Sequence, residues 1–410
     1  MILLLSLMAS ACPKQARCLQ VPVQTSMGEI PLDVQVWFPE YENDTTPLYF
    51  IVGGPGQSGV DASRYIAPFL RFLNRSIVFF SPLGTQPNDW FPCDTQTSTL
   101  SQLFGDVKTE PKCLPKKGFV VEEVNSEHAA QHVHRIREML GHDKIVLLGN
   151  SYGGRVVQLY VQKYPHTVRQ LIIDSGIPLE YHIGMSSFAE DILEKKLDDA
   201  GKRALNTILD DLPALIQTFD PSTRERVSLS IDQDDFFLIL HRWMYHASDQ
   251  DKLNQILMQV SKGHWNGFLQ IAKEALNDRY SLGTYLSVFC QEDWSILCDQ
   301  EPSSRFPFCM KMTKKCSLWP QPSSMPSWEA KDWDVPTLIL HGRFDHVSPP
   351  LYAKTIQQHA SPSIRVEFLN QAHGVLLSNC ARDIMYDFLA QNDIDENHRS
   401  CQKEIHIERQ

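Results

Sequence analysis

The residues of this chain whose types and order could do chemistry are Ser151, Asp345 and His373. Ser151 lies in Gly149-Asn-Ser-Tyr-Gly153, the Gly-x-Ser-x-Gly spacing of a nucleophile elbow. A serine forced into a tight strand-to-helix turn tolerates no large side chain two residues to either side, so glycines stand there. The helix after it would aim its positive end at the site. Both flanks fit: Ile145-Val-Leu-Leu148 is an apolar run, and Arg155-Val-Val-Gln-Leu-Tyr-Val161 continues at helical spacing. A serine hydroxyl attacks only when a base takes its proton, and the base needs an acid to hold its tautomer. On an elbow scaffold the acid and then the histidine follow the serine along the chain. Asp345 and His373 do so, each after a separate late strand. Asp174 also ends a strand and competes for the part of the acid. His341 and His346 flank Asp345; His341, within or at the end of its strand, reads as a core or pocket histidine.

An attacked carbonyl also needs two N–H donors for its developing negative charge. One is the amide of the residue after the nucleophile, Tyr152. The other should come from Gly53-Gly-Pro-Gly-Gln-Ser-Gly59, where no side chain blocks a ligand. Pro55 has no N–H, so Gly54 is the first choice and Gly53 the second.

These residues need a parallel sheet to bring them together. Arg17–Val23 and Ile30–Phe38 read as an N-terminal hairpin turning at Met27-Gly28. Leu48–Val52 and Ser76–Phe80 are continuous apolar runs, the sign of strands buried on both faces, with helical spacing between them over Ala62–Leu73. Strand, helix, strand in that order predicts right-handed crossovers. Pro82–Gly118 reads as a long surface loop. Ser126–Leu140 reads as a helix capped by Ser126 and stopped by Gly141; its His128, His132 and His134 are read as a solvated face rather than a metal site. Gln170–Asp174 is the strand after the elbow. From 178 to 332 the period changes: Phe188–Phe219, Asp234–His246 and Lys252–Leu276 read as amphipathic helices without buried strands, a helical lid inserted into the sheet. Cys290–Pro326 reads as loops pinned by disulfides. The sheet resumes at Pro336–His341 and Ile364–Leu369, and a last helix runs over Asn379–Ala390. The division is thus an apolar leader (1–11), a core in two parts (12–177 and 333–395), the lid (178–332) and a charged tail (396–410), loosely held apart from Cys401.

Composition narrows the class. The chain has 410 residues, 42% hydrophobic and 21% charged, as in an ordinary globular protein. A net charge of −11 and the lack of any basic run longer than Lys116-Lys117 or Lys314-Lys315 set nucleic acid aside. Ten cysteines with no Cys-x-x-Cys pair favour disulfides in an oxidising compartment over zinc. Met1–Ala11 is apolar, ends in Ala9-Ser-Ala11 and resembles a secretory signal; the small residues before Cys12 also resemble a lipoprotein signal, which would lipidate Cys12 and anchor the chain. Export to the periplasm or the medium is the expectation.

Gly53-Gly-Pro-Gly-Gln-Ser-Gly59, Gly149-Asn-Ser-Tyr-Gly-Gly154, Gly342-Arg-Phe-Asp-His-Val-Ser-Pro-Pro350 and Ala372-His-Gly374 together resemble the proline iminopeptidase and tripeptidyl aminopeptidase family of α/β-hydrolases. Phe289-Cys-Gln-Glu-Asp293, Cys316-Ser-Leu-Trp-Pro320 and Cys380 are similar to its secreted tripeptidyl branch. The likeness runs from about Cys18 to Ala390. It departs where members often have His before Gly-Gly-Pro-Gly and this chain has Val52. It departs again where Asp-Gln-Arg-Gly-x-Gly-x-Ser is replaced by Ser81-Pro-Leu-Gly-Thr-Gln-Pro87, which loses an acid and a base. The resemblance implies an α/β-hydrolase with a lid, no metal or cofactor, and a serine exopeptidase that releases proline or short peptides from free N-termini. A carboxylesterase on the same scaffold is the alternative, and a catalytically dead binding protein a third. An exopeptidase needs a carboxylate for the substrate ammonium; with the sheet edge occupied, Glu292 and Asp293 of the lid are the candidates, the alternative being that they are solvated loop acids or a helix cap.

Overall fold

The computed structural model describes residues 12–41, 46–86, 121–184, 186–219, 225–245, 250–275, 281–295, 313, 316–317, 319–320, 326, 328–395, 398–401 and 404–410. The leader over 1–11 and most of the expected loops over 82–118 and 290–326 lie outside them.

The frame is a nine-stranded sheet in the order β1-β2-β4-β3-β5-β6-β9-β10-β11. β1 (Ala16–Thr25) and β2 (Gly28–Trp37) form the expected antiparallel hairpin, and β2 pairs antiparallel with β4 (Ile77–Phe80). From β4 onward the pairing is parallel through β3 (Leu48–Ile51), β5 (Ile145–Asn150), β6 (Val168–Asp174), β9 (Thr337–Gly342) and β10 (Ser363–Phe368). Every residue of β3, β4 and β9 is buried because helices cover both faces, which is why these strands read as unbroken apolar runs. Period two divides them: Tyr49 and Ile51 enter one core, Leu48, Phe50 and Val52 the other.

The first core takes helices α2 (Ser126–Leu140), α3 (Tyr152–Lys163) and α10 (Pro350–Gln358); the second takes α1 (Gly59–Leu70) and α11 (Asn379–Gln391). Asn125 rather than Ser126 caps α2, its Oδ1 accepting from the His128 amide at 2.9 Å, because Ser126 is engaged elsewhere. Gly141 ends that helix in the left-handed region at φ 71°.

The insertion differs from the expectation of helices alone. α4 (Ser186–Lys196) and α5 (Asp199–Asp211) are followed by an antiparallel hairpin of β7 (Ala214–Phe219) and β8 (Arg226–Ile231). Pro213 stops the helix by removing a donor, and alternation over Ala214–Phe219 then favours a strand. α6 (Gln233–Trp243), α7 (Gln250–Val260) and α8 (Asn266–Ala275) complete a separate core with Leu193, Ile208, Phe236, Leu257 and Phe268. α9 (Leu282–Glu292) packs Leu286, Val288 and Phe289 into the first sheet core instead, so the end of the 178–332 segment belongs to the body of the domain.

The tail is not loose. β11 (Ile405–Arg409) pairs antiparallel with β10, and Cys401 is bonded to Cys380. The six described cysteines form Cys12–Cys18, Cys290–Cys316 and Cys380–Cys401. Cys12 was the expected lipid acceptor; here its sulfur is held by Cys18 and has no thiol to offer.

Candidate active site

Ser151 sits between β5 and α3 at φ 55°, ψ −122°, a left-handed strain that a non-glycine residue adopts only when its surroundings force it. The flanking glycines supply that force. A Cβ on Gly149 would come within 2.5 Å of the Gly153 carbonyl oxygen, and one on Gly153 within 2.2 Å of the Ile51 carbonyl oxygen. Only glycine lets the turn close against β3.

His373 Nε2 stands 2.9 Å from Ser151 Oγ, and His373 Nδ1 lies 3.0 and 2.9 Å from the two carboxylate oxygens of Asp345. Asp345 is fully buried after β9, and its Oδ1 accepts from the amides of Val347 (2.9 Å) and Ser348 (2.8 Å). Ser348 Oγ, 2.8 Å from Oδ2, completes the cage. Burial would drive the Asp345 carboxyl up, but the His373 charge, the His373 hydrogen bond and the Ser348 donors hold it below its ordinary range. Burial likewise pulls the His373 imidazole down; the charge and hydrogen bond of Asp345 outweigh it, and the ring is raised. A base with its proton site facing a serine and a fixed acid behind it is the arrangement for activating a nucleophile.

The other sequence candidates fall elsewhere. Asp174 is buried at the end of β6 and accepts from Asn150 Nδ2 and from the amides of Val375 and Leu376, not from the imidazole. His341 Nε2 takes a hydrogen bond from Arg365 at 2.9 Å, and burial with that guanidinium lowers its pKa to about 4. His346 Nε2 donates to the His241 carbonyl at 2.9 Å, tying the acid loop to α6. Beyond α6, Tyr245 packs edge-on against the His373 ring, centroids 5.2 Å apart.

Gly53 abuts the nucleophile: a Cβ there would lie 2.9 Å from Ser151 Cβ. Gly54 follows it at φ 111°, and Tyr152 opens α3 directly after Ser151.

Glu292 and Asp293 were expected to face substrate, and the structure corrects this. Both are buried at the end of α9. Arg155, wholly buried on α3, donates through both terminal nitrogens to Asp293 (3.0 and 2.9 Å) and through one to Glu292 (3.2 Å). Asp293 Oδ1 also accepts from the Ile183 amide at 3.1 Å. Glu292 Oε1 accepts from the Ser126 amide, and Ser126 Oγ sits 2.6 Å from Oε2 and 3.0 Å from the Tyr152 hydroxyl. With their oxygens so engaged, neither carboxylate is open to a substrate ammonium. Sequence reading missed Arg155; its signal was a cation inside an otherwise apolar helical run.

The helix face bearing the α2 histidines is not uniformly solvated either. His132 is 7% exposed, burial lowers its pKa to about 3, and its Nδ1 has no hydrogen-bond partner among the described residues. Among the described residues no group of three His, Cys, Asp or Glu could hold a metal ion.

A family model described as the alpha/beta hydrolase fold matches residues 46–379. The chain is similar to the serine protease Hip1 of Mycobacterium tuberculosis, 27% identical over 222 residues, 47% of this chain and 43% of Hip1. It is also similar to a proline iminopeptidase of Saccharolobus solfataricus, 42% identical over 133 residues, 32% of this chain and 33% of that one. The chain thus spans less than half the length of either of these curated relatives. A crystal structure of the proline iminopeptidase of Mycobacterium smegmatis superposes with a TM-score of 0.50 at 16% identity, covering 92% of this chain and 99% of that one, a likeness of fold.

Proposed function

This chain belongs to the α/β-hydrolase family, and from that we propose that it is a serine peptidase that removes residues from the free amino end of short peptides. The observation that carries the reading is the hydrogen-bonded row Ser151–His373–Asp345, with 2.9 Å between hydroxyl and base. Ser151 Oγ attacks the carbonyl carbon while His373 Nε2 takes its proton; Asp345 stabilises the imidazolium. The amides of Tyr152 and Gly54 take the charge that develops on the carbonyl oxygen. The histidine then returns the proton to the leaving amine, and water repeats the sequence on the acyl-serine.

Tyr245 packs against the His373 ring and α6 is tied to His346, so the inserted segment borders the base. The similarity to a proline iminopeptidase favours the amino end. The substrate ammonium must be met by groups other than Glu292 and Asp293. Export is proposed on the three disulfides among the described residues.

Peptide amides offered with free and with acetylated N-termini test the reading. The expected result is cleavage of the free series alone. Equal cleavage of both, with rapid turnover of simple esters, would transfer the assignment to an esterase.

A further inference from the structure

Asp174 competes for the acid's part in sequence and takes no part in the relay, yet it is buried in the centre of the site. Its backbone carbonyl accepts from the Ser151 amide at 2.8 Å. Its Oδ2 accepts from the side chain of Asn150, the residue before the nucleophile, at 3.0 Å. The same carboxylate accepts from the amides of Val375 (3.0 Å) and Leu376 (3.2 Å), just beyond His373. Ser175 continues the pattern from a left-handed backbone at φ 52°. Its Oγ accepts from the Gly374 amide at 2.9 Å, and its carbonyl lies 2.6 Å from Ser348 Oγ, which shares its one proton between this oxygen and Asp345 Oδ2. Three consecutive amides after the histidine, the residue before the serine and the cage around the acid therefore all end on one dipeptide.

We infer that Asp174 and Ser175 are positioning residues that set the Ser151–His373 distance, with Asp174 bridging the elbow to the histidine loop through Asn150. The inference rests on the serine-hydrolase reading. Three loops that leave separate strands must keep register for the relay to form, and besides the relay itself the end of β6 touches all of them. The donors converge on Asp174 with no acceptor among them, which calls for a carboxylate rather than an amide. An asparagine of the same shape would turn an NH2 toward a donor. The negative charge also favours the imidazolium of His373, alongside that of Asp345. The remaining neighbours add no positive charge: burial pushes His241 and His346 toward the neutral form, and Tyr245 packs as an uncharged ring perpendicular to His373.

The test is the rate of phosphonylation of Ser151 as a function of pH in wild type, Asp174→Asn and Asn150→Ala, with kcat and KM for one substrate. Losing a hydrogen bond to a charged group should cut kcat and the labelling rate roughly ten- to hundredfold in both variants, with KM nearly unchanged. Asp174→Asn should also move the acid limb of the profile to lower pH, because an anion near the imidazole is gone; Asn150→Ala keeps the charge and should leave the limb in place. A merely structural residue would lower stability without that split. Unchanged kcat and labelling in Asn150→Ala, the milder variant, overturn the inference even where Asp174→Asn does not fold. Unchanged limb and rate in a folded Asp174→Asn do the same. A wild type that never labels at Ser151 removes the hydrolase reading itself, which is a different failure.

Discussion

Two pairs of buried carboxylates lie on either side of the nucleophile helix, and they do different work because of the cation each meets. At the edge of the sheet Asp345 and Asp174 are shared out between an imidazole and backbone amides, so the charge they stabilise can come and go with the proton on His373. Under the same helix Asp293 and Glu292 meet Arg155, whose guanidinium never gives up its proton. The first pair serves a base that must change state; the second locks α9 to α3 and holds Tyr152 through Ser126. Asp293 also faces an imidazole, His182 Nδ1 at 3.2 Å, so what sets the first pair apart is that its imidazole stands 2.9 Å from a serine hydroxyl.

Removing the fixed acid should have the largest effect. Asp345→Asn keeps the volume but offers His373 the wrong tautomer, and kcat should fall on the order of 10⁴-fold with little change in thermal midpoint. A loss below tenfold would put Asp345 in the structural class with Asp293.

Arg155→Met probes the other side and should behave inversely. Uncovering Asp293 in the interior should cost about 3–5 kcal/mol of stability in a denaturant titration. Residual folded protein should still label at Ser151. Selective loss of labelling at full stability would break the distinction between the two pairs.

The third prediction uses pH. Burial pushes the Glu292 carboxyl up to about 7 from its ordinary 4.5, with Arg155 pulling it back only in part. The folded state therefore holds that proton more tightly than the unfolded chain. Its contribution is fully present below about pH 4.5 and is lost as pH rises through about 7. Glu292→Gln should remove this slope, worth at most about 3 kcal/mol between those limits. Denaturant midpoints at pH 5 and pH 8 check it; parallel slopes in variant and wild type would contradict it.

The smallest change is expected where water reaches the pair. Arg343 and Glu367 make a 3.1 Å ion pair at the surface, and Arg343→Gln should move stability by less than about 1 kcal/mol, as exposed pairs do.

What the sequence made legible follows the range of each signal. The elbow is local, six residues with a steric reason for every glycine, and the order serine, acid, histidine is kept along the chain whatever lies between. The Arg155 lock was illegible because its partners lie 137 and 138 residues away, and nothing local in Glu292 or Asp293 separates a buried ion-pair partner from a substrate ligand or a solvated acid. Asp174 was read only as a rival for the acid's part, because most of its partners are backbone amides, which carry no sequence signature. In the lid, Pro213 and the alternation after it were the signs of a strand, overridden by an amphipathic pattern carried across the break. Ile405-His-Ile407 likewise alternates, but charge in the tail concealed an edge strand that needs only one partner.

The central claim is that His373 and Asp345 activate Ser151. Treating the intact protein with an organophosphonate and mapping the adduct by mass spectrometry tests it most directly. The account predicts a single adduct on Ser151, absent in Ser151→Ala, whose activity should fall by about 10⁴-fold or more while its fold is kept. An adduct on any other serine, or full turnover by Ser151→Ala, would contradict it.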